Sequence, residues 1–205
     1  MGAMFSVRSN TSSTNLYLQE LTFPGIWQWF TCEILMIDKE NKMKKEKISF
    51  GEITLIGLTV RTNNSNEMNP ETSKIAAHTN LYWSQKLVNN IKHRVAPGVT
   101  YCVYTDYESD EHGEYTYFIG EEVDSTNDQD LSRFETLIIP KCNYQKFTTE
   151  PGKIPNVIIA AWQALWKMNE NDFGGKRKYL ADFEVYDKRA SDPSNAVVDI
   201  YIGLN

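Results

Sequence analysis

From residue 46 onward, the same order of predicted elements occurs twice, and this duplication constrains the fold more than any other feature of the chain. The first copy opens with a largely apolar run at residues 48–62, which is typical of a strand. Apolar residues at helical spacing then predict a helix from Pro70 to about His93, with the proline in its first turn. Two further strands are predicted at residues 99–107 and 115–123.

The second copy begins after a polar, acidic linker at residues 124–132 and repeats this order. Its predicted elements are strands at 134–140 and 144–149, a helix at 154–168, and strands at 179–187 and 196–204. Each half has one sheet and one helix, so neither half can bury both sides of its sheet alone. We therefore predict an α+β fold: a duplicated β-α-β-β unit with pseudo-twofold symmetry, antiparallel sheets and a ligand cleft between the halves.

Short sequence echoes support the duplication. The segment Val103-Tyr104-Thr105-Asp106 resembles Val185-Tyr186-Asp187, and Tyr117-Phe118-Ile119-Gly120 resembles Tyr201-Ile202-Gly203. If the halves are equivalent, Tyr104 corresponds to Tyr186, and Cys102 corresponds to Glu184. The second echo predicts that Tyr117 and Tyr201 occupy the same relative place in their halves.

The first 43 residues lack this regularity. They are rich in Ser, Thr and Asn up to Asn15, apolar without a pattern at residues 16–37, and charged from Asp38 onward. Two interpretations stay open. Either the natural start lies at Met36 or Met43, or the segment is a native arm whose aromatic side chains pack on the domain or on a second subunit. We divide the chain into this extension, residues 1–43, and one domain at residues 44–205.

The charge balance argues against nucleic-acid binding by this chain alone. There are 21 Lys and Arg residues against 27 Asp and Glu residues, which gives a net charge of −6 and an isoelectric point near 5.2. A nucleic-acid-binding domain usually carries a basic stripe, and none is evident. No apolar run is long enough to span a membrane, and the N-terminus lacks the pattern of a signal peptide. We predict a cytoplasmic protein without a membrane partner.

The sequence predicts neither a metal nor a cofactor. Cys32, Cys102 and Cys142 are scattered without a Cys-x-x-Cys pair, and the three histidines do not cluster. An odd, scattered set of cysteines also argues against a disulfide framework, which suits a reducing compartment. Neither a phosphate-binding P-loop nor a Gly-x-Ser-x-Gly nucleophile elbow is present.

Six segments, in order and at matching spacing, resemble the GyrI-like, AraC-type effector-binding family over about residues 46–205. They are Val60-Arg-Thr-Asn-Asn64, Pro97-Gly-Val-Thr-Tyr-Cys-Val-Tyr-Thr-Asp-Tyr107, Tyr115-Thr-Tyr-Phe-Ile-Gly120, Phe147-Thr-Thr-Glu-Pro-Gly152, Asp182-Phe-Glu-Val-Tyr-Asp187 and Asp199-Ile-Tyr-Ile-Gly203. Each segment alone is weak, but the ordered set with a repeat beneath it is specific. The resemblance implies the duplicated fold and a small-molecule-binding role. The helix-turn-helix module of many relatives is missing from the match.

Glu184 is the first candidate for a site residue. It lies within a predicted strand, where Glu is unfavourable, and the alternation of side chains places it on the same face as Tyr186. Internal symmetry adds Cys102 and Tyr104, so that these four side chains would line one cleft. The resemblance implies that Glu184 is the acidic floor of a ligand pocket. The alternative is an exposed glutamate on an edge strand.

Tyr117 and Trp162 are further candidates for ligand contact. Tyr117 would present a hydroxyl to the cleft. Trp162 and Trp166 lie four residues apart on the second predicted helix and therefore share a face. Core packing is the alternative for each of them, and it is the favoured interpretation for Trp166. Tyr82 and Trp83 on the first helix would either close the other side of the cleft or pack in the core, and the core is favoured.

An aromatic cleft with one carboxylate should attract lipophilic cations, because aromatic faces and a partly desolvated carboxylate both favour positive charge. Our first hypothesis is therefore a stand-alone effector-binding protein. It would capture hydrophobic or cationic small molecules, such as a toxin or drug, or report them to a partner, and it would be a monomer or a homodimer.

The resemblance also leaves two alternatives. Some GyrI-like proteins hydrolyse DNA-alkylating cyclopropanoid compounds. In such an enzyme Glu184 would activate water, while Tyr104 or Tyr117 would hydrogen-bond the carbonyl oxygen. A role like that of the gyrase-inhibitor relatives would need an acidic surface that mimics DNA, and a net charge of −6 is too modest to favour it.

Overall fold

The computed structural model describes residues 43–205. Our prediction for residues 1–43 lies outside the described residues, apart from Met43 itself. The strands are β1 (Lys44–Phe50), β2 (Ile53–Asn63), β3 (Thr100–Thr105), β4 (Glu114–Glu122), β5 (Glu135–Ile139), β6 (Cys142–Thr148), β7 (Ala181–Tyr186) and β8 (Asp199–Leu204). The α-helices are α1 (Asn64–Glu67), α2 (Ile75–Ser84), α3 (Asn156–Leu165) and α4 (Glu170–Phe173).

All eight strands join one antiparallel sheet in the order β1-β6-β8-β7-β3-β4-β2-β5. The order of the middle six strands is the same for each half when counted outward from the centre. The α+β fold with a duplicated unit and pseudo-twofold symmetry is therefore confirmed. The two halves share one sheet rather than forming two, because β3 and β7 pair at its centre, where Cys102 lies opposite Glu184.

The two outermost strands are exchanged between the halves. Strand β1 pairs with β6 of the second half, and β5 pairs with β2 of the first half. In a flat sheet, β1 and β2 would lie six strand spacings apart, or about 29 Å. The chain from Phe50 to Ile53 spans at most about 11 Å, so the sheet has to curl. Its inner face holds an apolar core that includes Phe50, Tyr144, Phe183 and Tyr201.

The two longer helices cover the other face of the sheet. Helix α3 packs Ile158, Trp162 and Leu165 against strands β6 and β8. Helix α2 buries Tyr82 against β2 and β4 in a second cluster. Both clusters reach Tyr104 and Tyr186 on the central strands, so the middle of this face lies between the two helices. No helix within residues 43–205 combines the length and apolarity needed to cross a membrane.

Helix α2, which corresponds to the helix predicted from Pro70 to about His93, begins later and ends earlier than predicted. Pro70 lies in a turn, and α2 starts at Ile75, because the Glu67 carboxylate caps it there by accepting hydrogen bonds from the backbone N–H groups of Lys74 and Ile75. The helix stops at Ser84, and a short 3-10 turn, Leu87–Asn90, follows. This turn buries Leu87, so the apolar spacing continues although the α-helix does not.

Two further predictions need correction. The strand expected at residues 48–62 is two strands, since Gly51 and Glu52 interrupt it; β1 lies at one edge of the sheet, and β2 lies next to β5 at the opposite edge. The correspondence of Tyr117 with Tyr201 is wrong: Tyr117 lies on the helix-covered face, and Tyr201 lies on the inner face. A register error of one residue is enough to exchange faces, because side chains alternate along a strand.

Candidate functional site

The candidate site lies where the two halves meet. Cys102 on β3 and Glu184 on β7 are directly opposite each other in the central strand pair. Both side chains lie on the helix-covered face of the sheet, since their neighbours Val103 and Phe183 belong to the inner core. The two repeats thus contribute their equivalent central residues to one place, as the sequence echo predicted.

The Glu184 carboxylate is buried and receives three hydrogen bonds. Its side chain accepts from Trp162 Nε1 at 2.6 Å and from the Tyr104 hydroxyl at 2.8 Å, both on Oε1. The Tyr186 hydroxyl donates to Oε2 at 2.6 Å. Only 2% of the Glu184 surface is exposed. The donors come from β3, β7 and α3, so both halves hold this single carboxylate.

Aromatic rings enclose the carboxylate. Tyr104 packs edge-on against Trp162, with ring centroids 4.9 Å apart, and against Tyr117 at 5.5 Å. A third edge contact joins Tyr104 to Tyr115 at 5.6 Å. Trp162 is buried, whereas Tyr104 and Tyr186 are half-buried. The cluster is therefore closed on the side of α3 and reaches the surface at the two tyrosines.

The electrostatics of the site are unbalanced. Within residues 43–205, no Lys, Arg or His side chain forms an ion pair with Glu184. Burial raises the pKa of Glu184, and the three hydrogen bonds from Trp162, Tyr186 and Tyr104 oppose that rise. A buried carboxylate without a counter-ion favours whatever supplies positive charge, whether a proton or a bound cation.

Cys102 and Tyr117 connect the surroundings of Glu184 to helix α2. The Tyr117 hydroxyl donates to Cys102 Sγ at 3.2 Å and lies 3.1 Å from Thr79 Oγ1 on α2. Burial raises the pKa of the Cys102 thiol, and the neighbouring Glu184 charge adds to the rise. Tyr117 thus touches the centre through Cys102 and makes no hydrogen bond to Glu184.

All six predicted ligand-contact residues meet in this cluster. They are Cys102, Tyr104, Tyr117, Trp162, Glu184 and Tyr186. Trp166 packs against the core cluster under α3, and Tyr82 is fully buried, as the core interpretation predicted, but Trp83 is 49% exposed. Two further buried carboxylates on the same face, Glu121 and the Arg177-paired Asp182, were not predicted from the sequence. The signal was available, since Glu121 follows Tyr117 and Ile119 at every second position of β4.

Two surface cavities lie elsewhere in the described part of the chain. One, of about 330 Å³, lies beside β1 and β6, and the other, of about 290 Å³, lies beside the end of α3. Glu184 lines neither cavity. The predicted cleft is filled by the protein's own tyrosine and tryptophan side chains, so a ligand would have to displace some of them.

Comparison with known proteins gives one consistent result. The family described as integron-associated effector binding protein matches residues 49–204. YobU of Bacillus subtilis, whose name proposes that it is a transcriptional regulator, is 29% identical over 148 residues, which cover 72% of this chain and 89% of YobU.

Solved structures agree with this match. An integron cassette protein of Vibrio cholerae is 25% identical, with a TM-score of 0.61 over 80% of this chain and 97% of its own. The structure of SAV2435 bound to tetraphenylphosphonium is 15% identical, with a TM-score of 0.61 over 80% of this chain and 94% of its own. This second likeness shows the shared fold.

Proposed function

The chain belongs to the family of integron-associated effector binding proteins, and on that premise we propose that it binds lipophilic organic cations at Glu184. One observation carries the proposal: Glu184 is buried among aromatic rings with three hydrogen-bond donors and, within the described residues, no basic partner. A cation that enters this cluster supplies the missing charge.

Energetic considerations support a cation over a neutral ligand. Aromatic faces within about 6 Å of a cation contribute about 0.5–2 kcal/mol. The Coulomb attraction between the desolvated carboxylate and a cation about 5 Å away adds about 3 kcal/mol at an effective dielectric constant of about 20, and it needs no hydrogen bond. A neutral ligand gains neither contribution and loses part of the aromatic packing that it displaces. The tetraphenylphosphonium on SAV2435, a protein of the same fold, is a lipophilic cation and supports this choice of ligand class.

The biological role depends on how a bound ligand changes the hydrogen bonds to Glu184. The name of YobU proposes transcriptional regulation, and the fold offers a centre held jointly by two halves. A ligand that separates Tyr104, Trp162 and Tyr186 from Glu184 changes how α3 is held on the sheet. We propose that the protein either sequesters such cations or reports them to a partner through this change.

The experiment is a titration with tetraphenylphosphonium, followed by tryptophan fluorescence, because Trp162 touches the carboxylate. Wild type should bind, and Glu184→Gln should bind about tenfold to a hundredfold more weakly, because the variant lacks the charge that attracts the cation. Glu52→Gln is the matched control, since it removes the same charge from an exposed residue outside the site. Equal affinity of wild type and Glu184→Gln would refute the proposal.

The hydrolase alternative is tested with the same variant. Glu184 would have to activate water, so Glu184→Gln should abolish turnover of a cyclopropanoid substrate while the neutral substrate still binds. Absence of turnover by the wild-type protein would exclude the hydrolase and leave the binding proposal intact.

A further inference from the structure

Glu121 is a further buried carboxylate on the helix-covered face of the sheet, and it lacks the close ion pair that Arg177 forms with Asp182 at 2.8 Å. It is 1% exposed, and its Oε1 accepts hydrogen bonds from the Thr100 hydroxyl at 2.7 Å and the Tyr82 hydroxyl at 3.4 Å. Its other oxygen, Oε2, is buried and has no hydrogen-bond partner within residues 43–205. A buried carboxylate oxygen without a partner is costly, so its presence calls for a reason.

Arg94 is the nearest cation to Glu121 and neutralises it only loosely. Arg94 Nη1 lies 3.8 Å from Glu121 Oε2, which is too long for a hydrogen bond, and 24% of the Arg94 side chain is exposed. The arginine therefore makes no hydrogen bond to Oε2, and its partly exposed side chain has a route to solvent when another cation takes its place beside the carboxylate. Burial raises the pKa of Glu121, which agrees with incomplete neutralisation.

Glu121 and Glu184 lie on the same side of one continuous surface. Thr100, which donates to Glu121, lies opposite Tyr186, which donates to Glu184. In the sheet, Glu184 is aligned with Cys102 on β3 and with Ile119 on β4, and Glu121 lies two residues after Ile119. Two strand spacings across the sheet and two residues along β4 place the Cα atoms of Glu184 and Glu121 about 12 Å apart. Near Glu121, Tyr82 packs edge-on against the half-exposed Trp83, with centroids 5.2 Å apart.

We propose that Glu121 forms a second cation subsite, and that the protein binds elongated dications with one charge at Glu184 and the other at Glu121. The proposal rests on the proposed function of Glu184 and adds a ligand class to it. The second charge displaces Arg94 from Glu121 and lies beside Tyr82 and Trp83. A monocation occupies the Glu184 subsite and leaves Glu121 paired with Arg94.

The test is calorimetric titration with bis(trimethylammonium)alkanes of increasing linker length, with tetraphenylphosphonium as the monocation. Affinity should peak where the two nitrogens are about 12 Å apart. Glu121→Gln should weaken the best dication about tenfold to a hundredfold, because it removes the Coulomb attraction for the second charge, and leave tetraphenylphosphonium within about twofold. Glu122→Gln is the matched control, because the neighbouring Glu122 accepts from the Tyr101 hydroxyl on the inner face.

Arg94→Gln supplies an independent second variant. It removes the competing cation from Glu121 and should strengthen dication binding severalfold without changing tetraphenylphosphonium binding. Loss of dication and monocation affinity to the same extent in Glu121→Gln, or no change in either, would overturn the proposal. If Glu184→Gln fails to weaken tetraphenylphosphonium, the proposed function of Glu184 fails instead, so the two failures are distinguishable.

Discussion

At the scale of single residues, the protonation of Glu184 connects the stability of the protein with its binding site. Burial raises its pKa above the ordinary value of 4.5, so the folded protein keeps a proton that the unfolded chain loses. The contribution of Glu184 to stability is therefore complete below pH 4.5 and is lost as the pH rises through the folded pKa. Glutamine at this position has no such dependence.

The first prediction compares the pH dependence of wild type and Glu184→Gln. The free energy of unfolding of wild type minus that of the variant should fall as the pH rises above 4.5, by at most about 1.4 kcal/mol for each pH unit. Urea denaturation at several pH values measures it. Glu121, whose pKa is also raised, is present in both proteins and cancels in the difference. A difference that stays constant between pH 4.5 and neutrality would contradict the assignment.

The second prediction concerns the indole donor. Trp162→Phe keeps most of the ring but removes the Nε1–H group that donates to Glu184 at 2.6 Å. At a pH where Glu184 is ionised, the loss should cost about 1–3 kcal/mol, because a buried carboxylate loses a partner. Trp166→Phe, one helical turn later and without this bond, should cost less by urea denaturation. Equal losses would show that Trp162 only fills space.

At the scale of elements, the close pairing of strands β2 and β4 depends on two glycines that lie opposite each other. Gly57 lies opposite Gly120, and the Phe118 ring packs across both. A Cβ atom on Gly57 would overlap the carbonyl oxygen of Ile119, which belongs to the backbone and cannot move aside. The two strands approach this closely because neither residue has a side chain.

Gly57→Ala is therefore expected to destabilise the fold by about 1–3 kcal/mol or more, since an overpacked backbone has to shift. The control is Gly51→Ala in the link between β1 and β2, where a Cβ meets no atom within 4 Å. That variant should be close to neutral. Urea denaturation of both gives the comparison, and similar midpoints for Gly57→Ala and wild type would contradict the close approach.

The sequence allowed the order of most elements to be predicted but not all of their pairings. Runs rich in β-branched and aromatic residues located β3, β4, β7 and β8, because these central strands have both faces on a core. The exchange of β1 and β5 between the halves was not predicted, since it depends on contacts between distant parts of the chain. The helix start at Ile75 was missed because Glu67 caps it from eight residues away.

The residues of the candidate site that occupy equivalent positions in the two repeats could be predicted from the sequence. Equivalence of Cys102 with Glu184 followed from the echo around Tyr104 and Tyr186, and the structure brings all four together. Glu121 was missed because two consecutive glutamates at the end of a strand look like a solvated turn. Alternation with Tyr117 and Ile119 assigns Glu121 to the helix-covered face, but the contacts with Tyr82 and Thr100 that bury its carboxylate come from other elements.

At the scale of the whole molecule, the domain is expected to fold without the N-terminal extension. All eight strands of the sheet lie within residues 44–205. A chain that begins at Met43 should therefore melt within a few degrees of the full chain in a thermal scan, because the loss is below about 1 kcal/mol. A larger fall in melting temperature would show that the aromatic residues around Trp27 and Trp29 contribute to the core.

The central claim is that the charge of Glu184 selects cations in a site that both halves of the molecule build. The most direct test is calorimetric titration of wild type and Glu184→Gln with tetraphenylphosphonium and with a neutral triaryl ligand of similar size. The variant should lose about 1.5–3 kcal/mol of binding free energy for the cation, because the Coulomb attraction of the carboxylate is gone, and much less for the neutral ligand. Equal losses for both ligands, or none for either, would contradict it.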